Sequence, residues 1–303
     1  MTPENSLNNA RQHLKVLVTG SRGMLGTDAV DTFQRAGYEV VECDLHNCDI
    51  LNIAQIETLV SSSRPDVIIH TAAYTDVDRA ESDEAGALRL NEIGTKNVAL
   101  VAKKYQAKIV YISTDYVFDG TQDSPYTEDA LPNPIGVYGK TKLRGEQQIL
   151  NLWEHESCSA GPDFLIVRIA WLYGIHGKNF VSAILQRAQQ QDTLRVVNDQ
   201  VGSPTYTRDV ADAILALLSH HARGILHVTN SGRCSWFDFA KAILESANLS
   251  HVIVEPISTV ELRRPAPRPA FSVLDTSKFT VTTGQTLRHW KEGLAAYFHE
   301  LHS

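Results

Sequence analysis

The chain carries a tyrosine and a lysine four positions apart, in the segment Tyr138-Gly-Lys-Thr-Lys142. On a helix this spacing brings both side chains to the same face, so the phenol and the ammonium group can share one small site. A fixed cation favours the phenolate and would lower the pKa of the phenol from its ordinary value of about 10 toward neutrality. We therefore predict that Tyr138 exchanges a proton with a hydroxyl or carbonyl oxygen, and that Lys142 tunes its pKa.

Three glycines follow the first β-branched run of the chain, in Thr19-Gly-Ser-Arg-Gly-Met-Leu-Gly26. They come directly after a predicted strand and open a predicted helix, which is the context that a dinucleotide-binding loop requires. Glycines allow a tight turn and a close approach to a pyrophosphate, whose charge the helix N-terminus favours. The residues that we predict to bind the cofactor here are Gly20, Arg22, Gly23, Met24, Leu25 and Gly26.

Two residues near this loop favour different dinucleotides. Asp44 ends the second predicted strand, where a carboxylate accepts hydrogen bonds from the adenosine ribose and repels a 2'-phosphate. Arg22, inside the glycine loop, would instead attract that phosphate. The sequence therefore leaves both NADH and NADPH open as the cofactor.

Further segments at predicted strand ends could complete a cofactor cleft, because ligands bind outside the carboxyl ends of parallel strands. Asp49 and Ile50 follow the second strand and are placed to cover the adenine. The segment Thr71-Ala-Ala-Tyr-Thr75 offers small side chains after the third strand, where a backbone must approach a cofactor closely. The contacts that we predict from these strand ends are Ala72, Ala73, Tyr74 and Thr75, with Ile112 from the fourth strand.

Thr114 follows the fourth predicted strand, on the ligand side of the sheet. It would face the helix of Tyr138 and Lys142 across the crevice, where its hydroxyl can donate to a carbonyl oxygen. Thr114 then polarises the carbonyl, Tyr138 transfers the proton, and Lys142 tunes the tyrosine and holds the nicotinamide ribose. This constellation suits hydride transfer to or from a carbonyl.

Short apolar strands alternate with amphipathic helices through the first half of the chain. Strands are predicted at residues 15–19, 38–44, 66–70, 108–112 and 164–168, and helices at 24–36, 53–63, 84–105 and 137–152. This alternation predicts an α/β fold built on a doubly wound parallel Rossmann sheet that is covered on both faces.

Beyond residue 174 the pattern is less regular. It predicts helices at 179–190, 207–219, 235–247 and 287–299, strands at 195–198 and 225–229, and an extended basic loop at 261–272. We therefore expect a polar N-terminal extension (1–14), an NAD(P)-binding Rossmann domain (15–173) and a smaller C-terminal α/β lobe that binds substrate (174–303). Some elements of that lobe are expected to return to the Rossmann sheet.

The composition of the 303 residues is that of an ordinary globular protein, with 43% hydrophobic and 21% charged residues. A formal net charge of -7 gives no support to a broad surface for nucleic acids. No apolar stretch approaches the roughly 18 residues needed to cross a bilayer, so we expect a cytoplasmic protein with no membrane partner. Because the cysteines (Cys43, Cys48, Cys158 and Cys234) show no metal-ligand spacing, we expect reduced thiols and no metal site.

Several segments together resemble the extended short-chain dehydrogenase/reductases and, more narrowly, their dTDP-4-dehydrorhamnose reductase family. The resemblance is carried by the glycine loop, the segments 71–75, 113–118 and 138–142, and Arg168-Ile-Ala-Trp-Leu-Tyr-Gly174. Residues 198–205 and 268–275 match the family as well, so the resemblance extends from about Lys15 to Tyr297.

The resemblance implies that Thr114, Tyr138 and Lys142 reduce the C4 keto group of dTDP-4-dehydro-L-rhamnose with NADPH or NADH. Its implied substrate contacts are Thr114, Asp115, Tyr116, Trp171 and Arg268, the last through a guanidinium fork on the diphosphate. Asn91 matches a helix position that supports the active site in many short-chain enzymes. The expected partner is the nucleotide-sugar substrate, and the chain is expected to be a monomer or a homodimer.

Other functions stay open from the sequence. A nucleotide-sugar epimerase uses the same three residues with a tightly held cofactor, and reductases of other nucleotide sugars differ in a few pocket residues. A regulatory subunit of methionine adenosyltransferase resembles this family without being an enzyme, but the presence of all three catalytic residues favours catalysis. A dehydratase is disfavoured because Tyr116, rather than a second acid, follows Asp115.

Overall fold

The computed structural model describes residues 14–153 and 163–302. Its strands are β1 (Lys15–Thr19), β2 (Glu39–Cys43), β3 (Val67–His70), β4 (Lys108–Thr114), β5 (Phe164–Ile169), β6 (Leu172–Tyr173), β7 (Thr193–Val197), β8 (Val201–Gly202), β9 (Thr205–Tyr206), β10 (Gly224–His227), β11 (Cys234–Ser235) and β12 (Ile253–Ile257). Its helices are α1 (Met24–Arg35), α2 (Ile53–Ser63), α3 (Val77–Ala80), α4 (Glu84–Leu88), α5 (Thr95–Lys104), α6 (Val137–Trp153), α7 (Phe180–Ala188), α8 (Thr207–Ser219), α9 (Trp236–Ser246), α10 (Thr259–Leu262), α11 (Ser277–Thr283) and α12 (Trp290–Leu301).

Six parallel strands form the central sheet, in the order β2-β1-β3-β4-β5-β10. The chain winds in one direction from β1 to β2 and in the other from β3 onward, so the strand order reverses between β1 and β3. A crevice opens at the carboxyl ends of the strands beside such a point. The predicted doubly wound parallel sheet is therefore confirmed.

The two faces of the sheet bury separate clusters of apolar side chains. Val16 and Val18 of β1 point into the layer formed by α1 and α8, whereas Leu17 points into the layer formed by α2, α5 and α6. Because both faces are covered, such a strand is apolar over most of its length. This explains the continuous apolar runs in the sequence.

The smaller C-terminal lobe has its own apolar core. Its helices α7, α9 and α12 contribute Ile184, Phe239, Ile243 and Leu294 to that core. Two of its short sheets pair β7 with β12 and β8 with β11. The chain between these elements returns to the first domain, since β10 forms an edge of the central sheet and α8 packs on α1.

Some local predictions differ from the structure. The predicted helix at 84–105 contains a π-helical turn, Arg89–Gly94, between α4 and α5. The predicted strand at 108–112 continues to Thr114 in β4, and a 3-10 turn, Asp115–Val117, follows it. Three of the elements that are absent from the predictions are α3, α11 and β12. The helices α3 and α11 are too short to show a helical period, and β12 is mostly exposed, so its sequence lacks an apolar face. Within the described residues no helix is long and apolar enough to cross a membrane.

Two predictions fall wholly or partly outside the described ranges. The N-terminal extension is described only at Leu14, and Cys158 lies in the undescribed segment 154–162. The other cysteines (Cys43, Cys48 and Cys234) are free, buried thiols.

A buried ion pair joins α6 to the sheet. Arg168 of β5 donates through Nε and Nη2 to the two carboxylate oxygens of Glu146, at 2.9 and 2.7 Å, and both side chains are at most 2% exposed. Ser113, the partner of Arg168 in the β4-β5 register, donates to the same carboxylate. Since Glu146 lies one turn after Lys142, this bidentate pair fixes the helix face that carries Tyr138 and Lys142.

Removal of Glu146 should destabilise the protein strongly. The variant Glu146→Ala leaves the charge of Arg168 buried without its counter-ion, which typically costs about 3–5 kcal/mol. We expect a fall of this size in the free energy of unfolding, measured in urea. The double variant Glu146→Leu/Arg168→Met removes both charges and should recover most of the loss; a double variant no more stable than the single one would contradict this explanation.

Candidate active site

A cleft of about 750 Å³ lies at the carboxyl ends of the central strands. This size is typical of a small-molecule or cofactor site. The predicted site residues that line it are Gly20, Arg22, Gly23, Met24, Leu25, Gly26, Asp44, Ile50, Ala72, Ala73, Thr75, Ile112, Thr114, Asp115, Tyr116, Tyr138, Lys142 and Trp171. The structure therefore brings most of the predicted residues to one place.

The glycine loop is built for close approach of a phosphate. Gly20 has a φ of +64°, and a Cβ there would lie 2.8 Å from the backbone of Ala72. A Cβ at Gly26 would lie 2.0 Å from the carbonyl oxygen of Gly20, so α1 starts directly against the turn. Gly23 is the N-cap of α1, and no described side chain caps it, which leaves N–H groups available to an anion. These features fit the diphosphate of a dinucleotide.

Asp44 and Arg22 lie together at the end of β2. The Asp44 carboxylate accepts the backbone N–H of Leu45 at 2.7 Å and that of Arg22 at 3.1 Å. The exposed guanidinium of Arg22 extends to His46, with Nη2 3.3 Å from Nε2. An adenosine ribose bound here would therefore meet both the acid and the cation that the sequence predicts.

Two predicted cofactor contacts, Asp49 and Tyr74, are not among the residues that line the cleft. Asp49 accepts the backbone N–H of Leu51 at 2.9 Å, so its carboxylate stabilises a turn. The phenol of Tyr74 donates to Asp83 at 3.2 Å, next to the N-terminus of α4. Both side chains have structural partners that hold them away from the cleft.

Asn91 is buried in the π-helical turn and joins two segments of the site. Its Oδ1 accepts the backbone N–H of Tyr74 at 2.8 Å, and its Nδ2 donates to the Tyr74 carbonyl at 3.1 Å and to Thr141 Oγ1 at 2.9 Å. Thr141 lies on α6 between Tyr138 and Lys142. Asn91 therefore ties the segment after β3 to the helix of the predicted triad, and π-helical turns are frequent at functional sites.

Thr114, Tyr138 and Lys142 meet in the cleft, as predicted. Thr114 lies near enough to the phenol of Tyr138 to act on its pKa, and its Oγ1 donates to Asp115 at 3.0 Å. Lys142 donates from Nζ to the carbonyl of Ile112 at 2.7 Å. The same ammonium group lies 4.1 Å from the centre of the Tyr111 ring.

Burial sets the proton affinities of this group. It raises the pKa of Tyr138 to about 12, although the hydrogen bond with Thr114 acts in the opposite direction. It lowers the pKa of Lys142 to about 7, against the effect of Glu146. The prediction that Lys142 lowers the pKa of Tyr138 is therefore wrong for this structure, because loss of water dominates both groups. Tyr138 stays protonated at neutral pH, in the form that can donate a proton.

The residues predicted to contact substrate lie on both sides of the triad. Burial raises the pKa of Asp115 to about 6, and its Oδ2 is buried with no hydrogen-bond partner among the described residues. Tyr116 packs edge-on against Tyr138, with ring centroids 5.6 Å apart. Asp115 therefore has a carboxyl oxygen available to a ligand hydroxyl, next to Tyr138.

Arg268 does not line the cleft. Its Nη1 pairs with Asp78 at 3.0 Å and donates to the Ala266 carbonyl at 2.9 Å. Tyr116 lies next to this guanidinium. Sequence reasoning missed Trp236 and Lys178, which do line the cleft. Lys178 closely follows the motif at 168–174, which is a usable signal, whereas Trp236 lies in a distant segment without a recognisable motif.

Comparisons with known proteins agree with this geometry. A family model described as the RmlD substrate binding domain matches residues 14–303. The spore coat polysaccharide biosynthesis protein SpsK of Bacillus subtilis is 40% identical over 286 residues, which cover 94% of this chain and 97% of that protein. A dTDP-4-keto-6-deoxy-D-glucose reductase of Streptomyces niveus is 37% identical over 282 residues, which cover 93% of this chain and 96% of that protein.

A crystal structure of dTDP-4-dehydrorhamnose reductase from Bacillus anthracis, in complex with NADP, superposes with a TM-score of 0.90 at 39% identity. The match covers 95% of this chain and 99% of that one. The chain therefore belongs to the RmlD substrate binding domain family, the dTDP-4-dehydrorhamnose reductase family that its motifs resemble.

Proposed function

We propose that this protein is an NAD(P)H-dependent reductase that converts dTDP-4-dehydro-L-rhamnose to dTDP-L-rhamnose. The observation that carries the proposal is the placement of Thr114, Tyr138 and Lys142 in one cleft with the glycine loop. The names of relatives support it, since they include reductases of dTDP-linked keto sugars and a dTDP-4-dehydrorhamnose reductase with NADP bound.

The three residues have separate roles in the proposed reaction. A bound reduced nicotinamide would supply the hydride to the C4 carbonyl carbon. Tyr138 donates its proton to the oxygen that becomes an alkoxide. The hydroxyl of Thr114, once it turns from Asp115, donates a hydrogen bond to the same oxygen. An alkoxide is a stronger base than a phenolate, so Tyr138 can act as an acid with a raised pKa.

Lys142 stabilises the negative charge that remains on Tyr138. Because the pKa of Lys142 is about 7, both the charged and the neutral form of this lysine are present near neutral pH in the protein without ligands. A phenolate or a phosphate close by favours the charged form. The proposal therefore assigns Lys142 an electrostatic role, together with contact to the nicotinamide ribose.

Substrate binding is assigned to the other side of the cleft. Asp115 would accept a sugar hydroxyl, while Tyr116 and Trp171 would supply apolar contacts. Arg268 is proposed to meet the diphosphate, which requires its pair with Asp78 to open; Lys178 is a second cation for that role and already lines the cleft. The C-terminal lobe is accordingly proposed to be the substrate-binding part of residues 174–303.

A second candidate substrate is dTDP-4-keto-6-deoxy-D-glucose, because a 37% identical relative is named for its reduction.

Oxidation of NADPH and of NADH should be followed with each sugar, generated enzymatically. Cofactor consumption with dTDP-4-dehydro-L-rhamnose supports the first choice. An epimerase would show no net consumption of NADPH or NADH. A regulatory subunit would bind methionine adenosyltransferase and would not oxidise either cofactor. Cytoplasmic location and a monomeric or homodimeric state are part of the proposal.

The variant Tyr138→Phe tests the proton donor. We expect kcat to fall by about 100-fold or more, because the positioned acid is lost while the cleft keeps its shape. Binding of NADPH, measured by its fluorescence, should stay within error of wild type. Tyr105→Phe, which removes a phenol that donates to Glu57 outside the cleft, serves as the control. Near wild-type turnover of Tyr138→Phe would refute the assigned role.

The variant Arg22→Ala tests cofactor selection. Loss of a charged hydrogen bond to the 2'-phosphate should raise the Kd for NADPH by about 10-fold, whereas the Kd for NADH should change little. Arg35→Ala, which removes an exposed arginine at the far end of α1, is the matched control. Equal weakening of both cofactors would show that Arg22 supports the loop and does not read the phosphate.

A further inference from the structure

Trp236, the first residue of α9, packs against two apolar clusters at once. One cluster is the core of the C-terminal lobe around Phe239 and Ile243. The other surrounds Trp171 and includes Phe118 and Leu274. Trp236 also lines the cleft. It is therefore a point at which the lobe, the end of β5 and the site meet.

The indole of Trp236 stacks on that of Trp171. Their ring centroids are 3.5 Å apart and their planes differ by 4°. Phe180 packs on Trp236 in turn, with ring centroids 4.4 Å apart. Such contacts leave the two indoles little freedom to change rotamer, because each ring is held by another aromatic ring.

Trp171 is held in an unusual backbone conformation. Its φ is +46°, in the left-handed region that a bulky residue rarely adopts. Gly202 of β8 backs the ring so closely that a Cβ there would lie 2.3 Å from Cε2. Backbone strain of this kind persists only where the surroundings fix it, and it is frequent at ligand sites. Trp236 and Gly202, both contributed by the lobe, pack directly against this indole.

We propose that Trp236 determines specificity for 6-deoxy nucleotide sugars, an inference that rests on the function proposed above. Together with Trp171 it forms an apolar wall of the cleft, whereas Thr114, Asp115 and Tyr138 supply the polar groups. The methyl group of a 6-deoxy sugar loses no hydrogen bond against such a wall. A 6-hydroxyl group placed there would lose its hydrogen bonds to water. Trp236 acts both by direct contact and by fixing the indole of Trp171.

Steady-state kinetics with the full chain, NADPH and dTDP-4-dehydro-L-rhamnose test this inference. Trp236→Ala should raise KM for the sugar about 10-fold, and the preference for the 6-deoxy substrate over a 6-hydroxy 4-keto nucleotide sugar should fall by a similar factor. KM for NADPH should not change, because the glycine loop is untouched. Trp236→Phe should restore most of the sugar affinity, since it keeps an aromatic face.

Trp290→Phe is the matched control. Trp290 is 3% exposed in the same lobe core and does not line the cleft. The KM of the Trp290→Phe variant for the sugar should therefore equal that of wild type. A stacked indole pair also gives a coupled signal in circular dichroism, which Trp236→Phe should abolish and Trp290→Phe should retain.

Two results would overturn the inference while leaving the proposed function intact. One is an unchanged KM for the sugar in Trp236→Ala, with active wild-type protein. The other is a parallel rise in KM for NADPH, which would indicate general damage to the cleft. If wild-type protein oxidises no NADPH with the keto sugar, the proposed function fails, and this inference fails with it.

Discussion

The face of α6 that carries Tyr138 and Lys142 depends on one buried interaction, the bidentate pair between Glu146 and Arg168. Tyr138, Lys142 and Glu146 follow one another at intervals of four residues, so they share a face of the helix. The pair anchors the end of this face to β5, and Ser113 adds β4 to the same carboxylate. Because the anchor holds a charge on each side, any displacement of the helix would separate buried opposite charges. The position of the Tyr138 and Lys142 side chains therefore follows from the buried ion pair that anchors their helix.

The same low-dielectric setting restricts how many charges the site can hold. His70 at the end of β3 is fully enclosed, hydrogen-bonded to Thr19 at 2.7 Å and to Thr95 at 3.1 Å. Burial, with a smaller contribution from Lys142, lowers the pKa of His70 to about 3, so the ring is neutral and links β1 to α5. Lys142 then faces one buried anion, Glu146, which is already committed to Arg168. Lys142, which also donates to the carbonyl of Ile112, can therefore respond to a negative charge placed in the cleft.

The parts of the fold that the sequence predicts are those encoded locally. The glycine loop stands between a strand and a helix within a dozen residues, and Tyr138 and Lys142 share one turn, so spacing alone predicts their placement. The direction of the pKa shift at Tyr138 was not predictable in this way, because burial depends on segments far along the chain. Asp49 and Tyr74 lie in the predicted segments, but hydrogen bonds to Leu51 and Asp83 decide where their side chains point. Trp236 is separated from Trp171 by 65 positions, and only the folded lobe brings the two rings together.

This contrast divides the cleft into two halves with different physical origins. The glycine loop, Thr114 and α6 are fixed by the central sheet and by the pair between Glu146 and Arg168. The wall around Trp171 is packed by the lobe, through Gly202 and Trp236, and Trp171 itself has a backbone in the left-handed region. A change in the lobe can therefore reshape the wall around Trp171 without moving Tyr138 relative to the glycine loop. Conversely, a change at the buried ion pair would alter the proposed proton transfer for every sugar alike. Under the proposed function, selection of the sugar and transfer of the proton are thus separable, because different contacts hold the residues to which these roles are assigned.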